Sequence, residues 1–385
     1  MQRPSDSNRR TLMIVPFSLN PIRVRPVKVL EQLVQYSKVD VICLNDGNPT
    51  QLNCKVEHLT VIPNGSKTAR AFRILVGLLH GIPINAEFYN SMRLPGKLAS
   101  IDLSQYDAIY VHRLPLHRLN LKHKNIIYDA EDCWSNRCRV LAAHLSDYRR
   151  ILYALDSKLT PRHEVAACNS ARIVLTTAER EAAHLRRIGV TKPIEVYTHD
   201  RQCETLPRTL QQRERFVISF HGKMSYAPNA KALRILNDDI APRLDSKQYD
   251  LRIIGKCPEA YRTKFPNLCF TGYVESIPDA IRDADLSIFP LPISVGFSNK
   301  AMESLAAGVP MIATQNVLEG LPSMPELLER GVYVRKLSEF VDEIEHFRKL
   351  SLNERQRIAA SCYKWVQSVY NSPFQNTQWE KLLGY

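Results

Sequence analysis

The sequence predicts an α/β protein made of two parallel-sheet domains. Three observations carry that expectation. Short β-branched and aromatic runs alternate with amphipathic helical stretches through both halves of the chain. At 385 residues the chain is long enough for two domains that each bury a core. With 44% hydrophobic residues, 24% charged residues and only 14 Gly, its composition is that of an ordinary globular protein, which excludes collagen-like, coiled-coil and disordered readings.

In the second half, residues 216–220, 251–254, 268–271, 286–289 and 309–314 read as strands. Each ends in Gly, Pro or a polar turn and is followed by a helical stretch, the pattern of a parallel sheet with crossover helices. The first half repeats the pattern at 12–15, 39–44, 109–111, 126–128, 173–176 and 194–197, so both domains are Rossmann-like. Residues 198–215 are polar and charged without apolar period, which marks a linker. We expect a first domain over 1–200 and a second over 201–368, with a last helix in 369–385 crossing back to the first. The tail reads as helices over 337–350, 353–370 and 374–383, with Pro373 marking the last break. Two such domains are expected to face a central cleft, with ligands at the carboxyl ends of the strands.

The charge is unevenly placed. Residues 1–200 hold 28 basic and 18 acidic residues, a difference of +10, against 24 and 21, or +3, in the remainder. A basic front half favours an anionic partner, whether nucleic acid, a membrane surface or a phosphorylated substrate. The positive residues are dispersed and not interleaved with aromatics, so nucleic acid is not expected. The stretch 67–79 sets Lys67, Arg70 and Arg73 beside Phe72, Leu75, Val76 and Leu79. It reads either as an interfacial helix on an anionic inner leaflet or as an ordinary domain helix with a basic edge. Nine cysteines form no CxxC pair, and the apolar run 11–17 is too short for a signal sequence or a span. A cytoplasmic protein, peripheral on the inner face of the membrane, is the expectation.

The sharpest constellation lies between Pro290 and Pro310. A strand end, a loop containing Gly296, a helix from about Asn299 to Ala306, Gly308 as its stop and Pro310 entering the next strand form one β-loop-α-β unit. Ser298 is the expected N-cap. The free N–H groups of Gly296, Phe297, Ser298, Asn299 and Lys300, beside the positive end of the helix dipole, suit a diphosphate. Lys300 and Glu303 share a face, and a carboxylate one turn behind bound phosphates is placed to accept both hydroxyls of a ribose. The same pair equally reads as a solvated helix pair contributing about 0.2–0.5 kcal/mol.

Residues 217–321 resemble the C-terminal domain of a GT-B-fold glycosyltransferase of the large retaining group called family 4, and within it the bacterial exopolysaccharide sugar transferases. The resemblance rests on Phe220-His-Gly-Lys-Met224 with Ala227-Pro-Asn-Ala230, Leu251-Arg-Ile-Ile-Gly255, Phe270-Thr-Gly-Tyr-Val274, Ala284-Asp-Leu-Ser-Ile-Phe-Pro-Leu291, Asn299-Lys-Ala-Met-Glu-Ser-Leu-Ala-Ala-Gly308 and Glu319-Gly-Leu321. It implies that Glu303 binds the donor ribose, that the 296–300 loop holds phosphate and sugar, and that Tyr273 and Val274 read the base. Gly222 and Lys223 fall on the turn where the family often places a basic residue against the diphosphate, with a surface lysine as the alternative reading of Lys223. Many members carry a second glutamate eight positions before the ribose one, and here that position is Val295.

The first half resembles the acceptor domain more weakly. Its opening loop 18–25 lacks the usual glycines; Arg23 and Arg25 are candidates for phosphate contact or simply solvated loop arginines. His112 ends a strand where the family often has a histidine against the donor sugar. Asp129 and Asp132, with Ser135 after them, resemble the subgroup's Asp-x-x-Asp-x-x-Ser stretch. They read as groups that orient an acceptor or act as base, or as acids at a helix N-terminus. Glu179 is expected to cap the last helix of that domain.

No metal set is expected, since His112, His117 and His123 lack zinc spacing, and no Gly-x-Ser-x-Gly elbow supports a hydrolase triad. The resemblance implies a transferase that moves a sugar from a nucleotide sugar, UDP- or GDP-linked, to a glycan or lipid-diphosphate-linked acceptor with retention. The nucleotide sugar is a substrate, and no further cofactor is implied. Two rivals stand beside it: a sugar-nucleotide epimerase or hydrolase on the same fold, and a non-catalytic partner subunit, for which Val295 and the missing glycines speak.

Overall fold

Two parallel sheets account for the strand-forming runs. The computed structural model describes residues 9–20, 23–88, 91–113, 115–145, 147–197, 210–294, 296–322, 332–370 and 373–384. The chain forms two units, Met1–Arg201 with Pro373–Tyr385 and Gln202–Ser372.

Unit 1 has strands β1 (Arg10–Val15), β2 (Lys38–Asn45), β3 (His58–Pro63), β4 (Ala108–His112), β5 (Ile126–Glu131), β6 (Ile173–Thr176) and β7 (Ile194–Val196). Its helices are α1 (Val24–Tyr36), α2 (Lys67–Leu79), α3 (Ile84–Phe88), α4 (Arg93–Ala99), α5 (Trp134–His144), α6 (Arg149–Asn169) and α7 (Glu179–Ile188). The strand order is β3-β2-β1-β4-β5-β6-β7 and every pairing is parallel. Strand alternation splits the core in two: Leu12 and Ile14 join one cluster, Met13 and Val15 the other, because successive side chains leave opposite faces.

Unit 2 has β8 (Phe216–His221), α8 (Ala227–Ile235), β9 (Tyr249–Ile254), α9 (Ala260–Lys264), β10 (Cys269–Gly272), α10 (Ile277–Ile281), β11 (Leu286–Phe289), α11 (Asn299–Ala306), β12 (Met311–Ala313), α12 (Gln315–Leu318), β13 (Val332–Val334), α13 (Phe340–Lys349) and α14 (Leu352–Tyr370). The order is β10-β9-β8-β11-β12-β13, again parallel. Both sheets therefore reverse direction of growth at one point, between β1 and β4 and between β8 and β11, and in such sheets ligands bind outside the carboxyl ends at that point.

Two strands escape the sequence pattern. β3 lies at the edge of its sheet with Leu59 and Val61 exposed, and β13 is three residues long. The strand expected over 309–314 shortens to Met311–Ala313 because Val309 still belongs to the helix end. Its N–H bonds Ser304 O and that of Gly308 bonds Leu305 O, a Schellman closure that the φ of +69° at Gly308 permits. The expected linker 198–215 lies mostly outside the described residues.

Helix α15 (Pro373–Leu383) belongs to unit 1. Trp379 is fully buried there, edge-on to Tyr197 at 5.1 Å, while Asn125 Nδ2 donates to Leu383 O at 2.9 Å and Arg172 bonds Leu382 O.

Candidate functional site

In unit 2 the site begins with three adjacent strands that each end in glycine. Gly222, Gly255 and Gly272 follow or close β8, β9 and β10 with φ of +136°, +124° and +86°. The backbone is stitched across them, Gly222 N to Ile254 O and Gly255 N to Gly272 O. A Cβ on Gly255 would lie 2.2 Å from Gly222 O, so only glycine fits. The result is a carboxyl-end floor with backbone close to the surface.

Helix α11 starts beside this floor. Ser304 Oγ donates to Ser287 Oγ at 2.8 Å, and Ser287 pairs with Ser219 at the same distance, which ties α11 to β11 and β8 through a buried hydroxyl chain. The loop before the helix is held by Thr314 Oγ1 on Leu291 O and by Asn316 Nδ2 on Pro292 O. Ser298 occupies the N-cap position but makes no side-chain cap bond, so the expected cap is absent. The ends of the helix N–H ladder are thus not consumed by a serine hydroxyl.

Glu303 and Lys300 leave α11 toward different partners. Glu303 Oε2 stands 3.3 Å from Nε2 of His221, the buried last residue of β8. The Lys300 ammonium donates to Asn229 Oδ1 and lies 5.2 Å from the centre of the Phe220 ring. Asn229 Nδ2 in turn donates to Lys223 O at 2.9 Å, which fixes the turn carrying Gly222. Burial lowers the Lys300 pKa to about 8, with Glu303 opposing the shift. Lys223 and Asn299 are exposed; Tyr273 is exposed and Val274 packs against the buried cluster that includes Val217 and Ile254. Val295 lies outside the described residues.

Unit 1 gathers a second charged cluster. His112, the last residue of β4, has Nδ1 3.5 Å from Asp129 Oδ2 and Nε2 3.3 Å from Glu131 Oε2. Arg25 grips Asp129 through Nε and Nη2 at 2.8 and 2.9 Å and donates its third edge to Tyr197 O. Tyr110 donates to the same carboxylate. Arg113 Nη1 bonds Glu131 Oε2 at 3.0 Å, and both residues have left-handed φ, 52° and 57°. Burial opposes the charge on Asp129, but Arg25 and His112 outweigh it and hold the carboxyl far below its usual range. Burial also opposes charge on His112, yet Asp129 and Glu131 raise its pKa above the ordinary value.

Asp132 borders this cluster, accepting from Thr177 Oγ1 at 2.9 Å, and burial with the nearby Glu131 and Glu181 raises it to about 6. It lines a pocket of about 50 Å³ together with Arg113, His117, Trp134, His163 and Glu164. Among the described residues, no group of three or more His, Cys, Asp or Glu side chains is arranged to hold a metal.

Residues 215–349 match the family model described as "Glycosyl transferases group 1". The second unit is a group 1 glycosyl transferase domain, and the chain is a glycosyltransferase. No curated protein matches the chain in sequence. Among solved structures it is similar to sucrose-phosphate synthase from Thermosynechococcus elongatus, 14% identical with a TM-score of 0.67 over 97% of this chain and 98% of that one. It is similar to HepE from Anabaena in complex with UDP and glucose, 13% identical with a TM-score of 0.64 over 97% and 99%. WaaG, a glycosyltransferase involved in lipopolysaccharide biosynthesis, gives 13%, 0.62, 97% and 98%. At such identities the likeness establishes the fold, the two parallel α/β sheets of GT-B glycosyltransferases.

Around the transferase domain several sequence expectations change. Arg25 is neither a solvated loop arginine nor open to phosphate, since all three faces of its guanidinium are engaged inside unit 1. Arg23 is the more accessible of the two, stacked 4.3 Å from Phe17 and bonded to Asp46. Asp129 is a buried strand residue and not an acid at a helix N-terminus; the N-terminus of α5 is capped instead by Glu181 on Cys133 N and Glu164 on Trp134 N. Glu179 is the first residue of α7, an acid in its first turn, and the N-cap position is Ala178. His221, Asn229, Glu131 and Arg113 were missed as site residues. His221, Asn229 and Glu131 sit inside quoted motifs, but only a three-dimensional partner marks them out.

Proposed function

We propose that unit 2 binds the nucleoside diphosphate of a sugar donor and that the chain transfers that sugar with retention. The diphosphate lies over the Gly222–Lys223 turn and the N-terminus of α11, from Gly296, Phe297 and Ser298 to Asn299, where N–H groups and the helix dipole favour negative charge. Glu303 accepts the ribose hydroxyls, and the Tyr273–Val274 turn lies against the base. Lys300, with Lys223, stabilises the departing diphosphate. The observation that carries the reading is the placement of Glu303 and Lys300 on one helix beside a floor of three left-handed glycines. The complex of HepE with UDP and glucose supports UDP as the nucleotide, with GDP the other choice. The acceptor, a glycan or a lipid-diphosphate-linked saccharide of cell-surface polysaccharide assembly, is taken up by unit 1, with His112 and Asp132 toward the sugars, in the cytoplasm.

A thermal-shift panel of UDP, GDP, ADP, CMP and dTDP tests this. One diphosphate at a hundred times its Kd stabilises the wild type by about 2.7 kcal/mol, a shift of a few degrees, and leaves Glu303→Ala unmoved. An equal shift in Glu303→Ala, or none in the wild type with any nucleotide, refutes the assignment.

A further inference from the structure

Unit 1 leaves two helical stripes of large apolar side chains uncovered. On α6 and its leading residue, Tyr148, Ile151, Leu152 and Leu155 recur at i, i+3, i+4 and i+7, with Tyr148 and Ile151 75% and 72% exposed. On α2, Phe72, Leu75, Val76 and Leu79 recur at the same spacing, with Phe72 and Leu79 68% and 80% exposed. Such a spacing normally marks the face a helix turns inward. Here both helices turn a different face inward. α6 buries Asp156 and Thr160 against α3, accepting from Ile84 N at 2.7 Å and from Asn85 Nδ2 at 3.1 Å. α2 turns Arg73 and Gly77 toward Glu87 of α3, and Arg70 lies over the Phe88 ring.

Arg70 and Arg73 are half-buried against α3, which leaves Lys67 as the exposed basic residue of α2. Further basic complement comes from α6. Lys158 and Arg162 are exposed and continue the line of its stripe at three and seven residues beyond Leu155. Helix α3 is bonded to both helices: Arg73 Nη2 of α2 donates to Glu87 O at 3.2 Å, and Ile84 N donates to Asp156 Oδ1 of α6 at 2.7 Å.

We propose that α6 and α2 together form a docking surface for an anionic lipid bilayer. The apolar stripes enter the headgroup–acyl boundary while Lys158 and Arg162 remain among the headgroups. Charge decides the occupant. Residues 1–200 carry an excess of ten basic over acidic residues (28 against 18), so a second copy of the same face meets like charge, whereas an anionic leaflet meets its complement. Among the described residues no helix is long and apolar enough to cross a membrane, so contact of this kind lies on the surface of the bilayer. Two stripes matter because a single weak anchor gives reversible binding, and a pair multiplies.

Flotation of the full chain with vesicles of phosphatidylcholine, alone or with phosphatidylglycerol, tests the surface without any sugar substrate. The wild type floats with the anionic vesicles at low salt, at least tenfold less at 0.5 M salt, and not with the neutral ones. Ile151→Asp with Leu155→Asp, and separately Phe72→Asp with Leu79→Asp, each cut the bound fraction about tenfold while melting temperature and the nucleotide-induced shift stay at wild-type values. No flotation of the wild type, or flotation unaffected by the α6 pair, overturns the proposal. So does a wild-type dimer in sedimentation velocity that the α6 pair dissociates, because that outcome makes the face a contact between copies.

Discussion

His112 and His221 invite comparison. Each is buried, each closes a strand beside the point where its sheet reverses, each faces a carboxylate 3.3–3.5 Å away, and each is followed by a left-handed residue, Arg113 or Gly222. The surroundings then diverge. In unit 1 the left-handed positions carry Arg113 and Glu131, which bond each other, and Arg25 saturates Asp129. In unit 2 they are bare glycines, and the cation is a lysine held by a neutral amide and a ring. One cluster has filled its own space with compensating charge; the other sets bare backbone beside an ammonium bonded to a neutral amide, the arrangement on which the proposed diphosphate site rests. The same strand-end histidine thus sits in a charge-compensated network in one unit and beside a floor of glycines in the other.

Breaking the first cluster should cost most. Arg25→Ala strands Asp129 inside unit 1 and is expected to lower unfolding free energy by about 3–5 kcal/mol in a denaturant titration, whereas Arg25→Lys recovers only part of that loss because one ammonium cannot grip both carboxylate oxygens. A glycine of the second cluster comes next. Gly255→Ala drives a methyl into Gly222 O from a left-handed backbone and is expected to cost about 2–3 kcal/mol and to abolish the nucleotide-induced shift. Lys300→Met should behave in the opposite sense to Arg25→Ala: stability changes by less than about 1 kcal/mol, since a buried amine has been replaced by an apolar chain of similar length, but diphosphate affinity measured by calorimetry falls about tenfold.

The smallest effect is the pH response, and its sign differs between two sets of buried groups. Glu164 and Asp132 are held at about 7 and 6, chiefly by burial, above their unfolded values of 4.5 and 3.8. Through these two groups the folded state binds more protons than the unfolded one between about pH 4 and 7, and their contribution to stability falls as pH rises through that window. Lys300, at about 8 against 10.5, reverses the inequality, so stability rises between pH 8 and 10.5. Glu164→Gln should flatten the first slope and Lys300→Met the second, both read from melting temperature against pH.

Much of unit 2 was legible because its strands are short apolar runs punctuated by glycine: the 286–289 strand and the Asn299–Ala306 helix are found as expected. β3 was not, since an edge strand exposes half its apolar residues and loses the contrast on which pattern reading depends. Glu303 and Lys300 were visible through helical spacing, but His221 and Asn229 act across elements 70 or more residues apart, and nothing local announces that. Arg25 misled for a related reason. A loop arginine before a helix looks solvated until a carboxylate 104 residues later claims it.

Helix α15 carries a consequence for biosynthesis. As the chain leaves the ribosome, unit 1 emerges first but lacks Trp379, Leu382 and Leu383, which complete its core from the far side of residues 202–372. A nascent first unit therefore waits, with the apolar slot beside Tyr110 and Tyr197 open, until the whole second unit has been made. Translation that halts between residues 372 and 379 leaves a complete second unit attached to a first unit whose hydrophobic slot is still open.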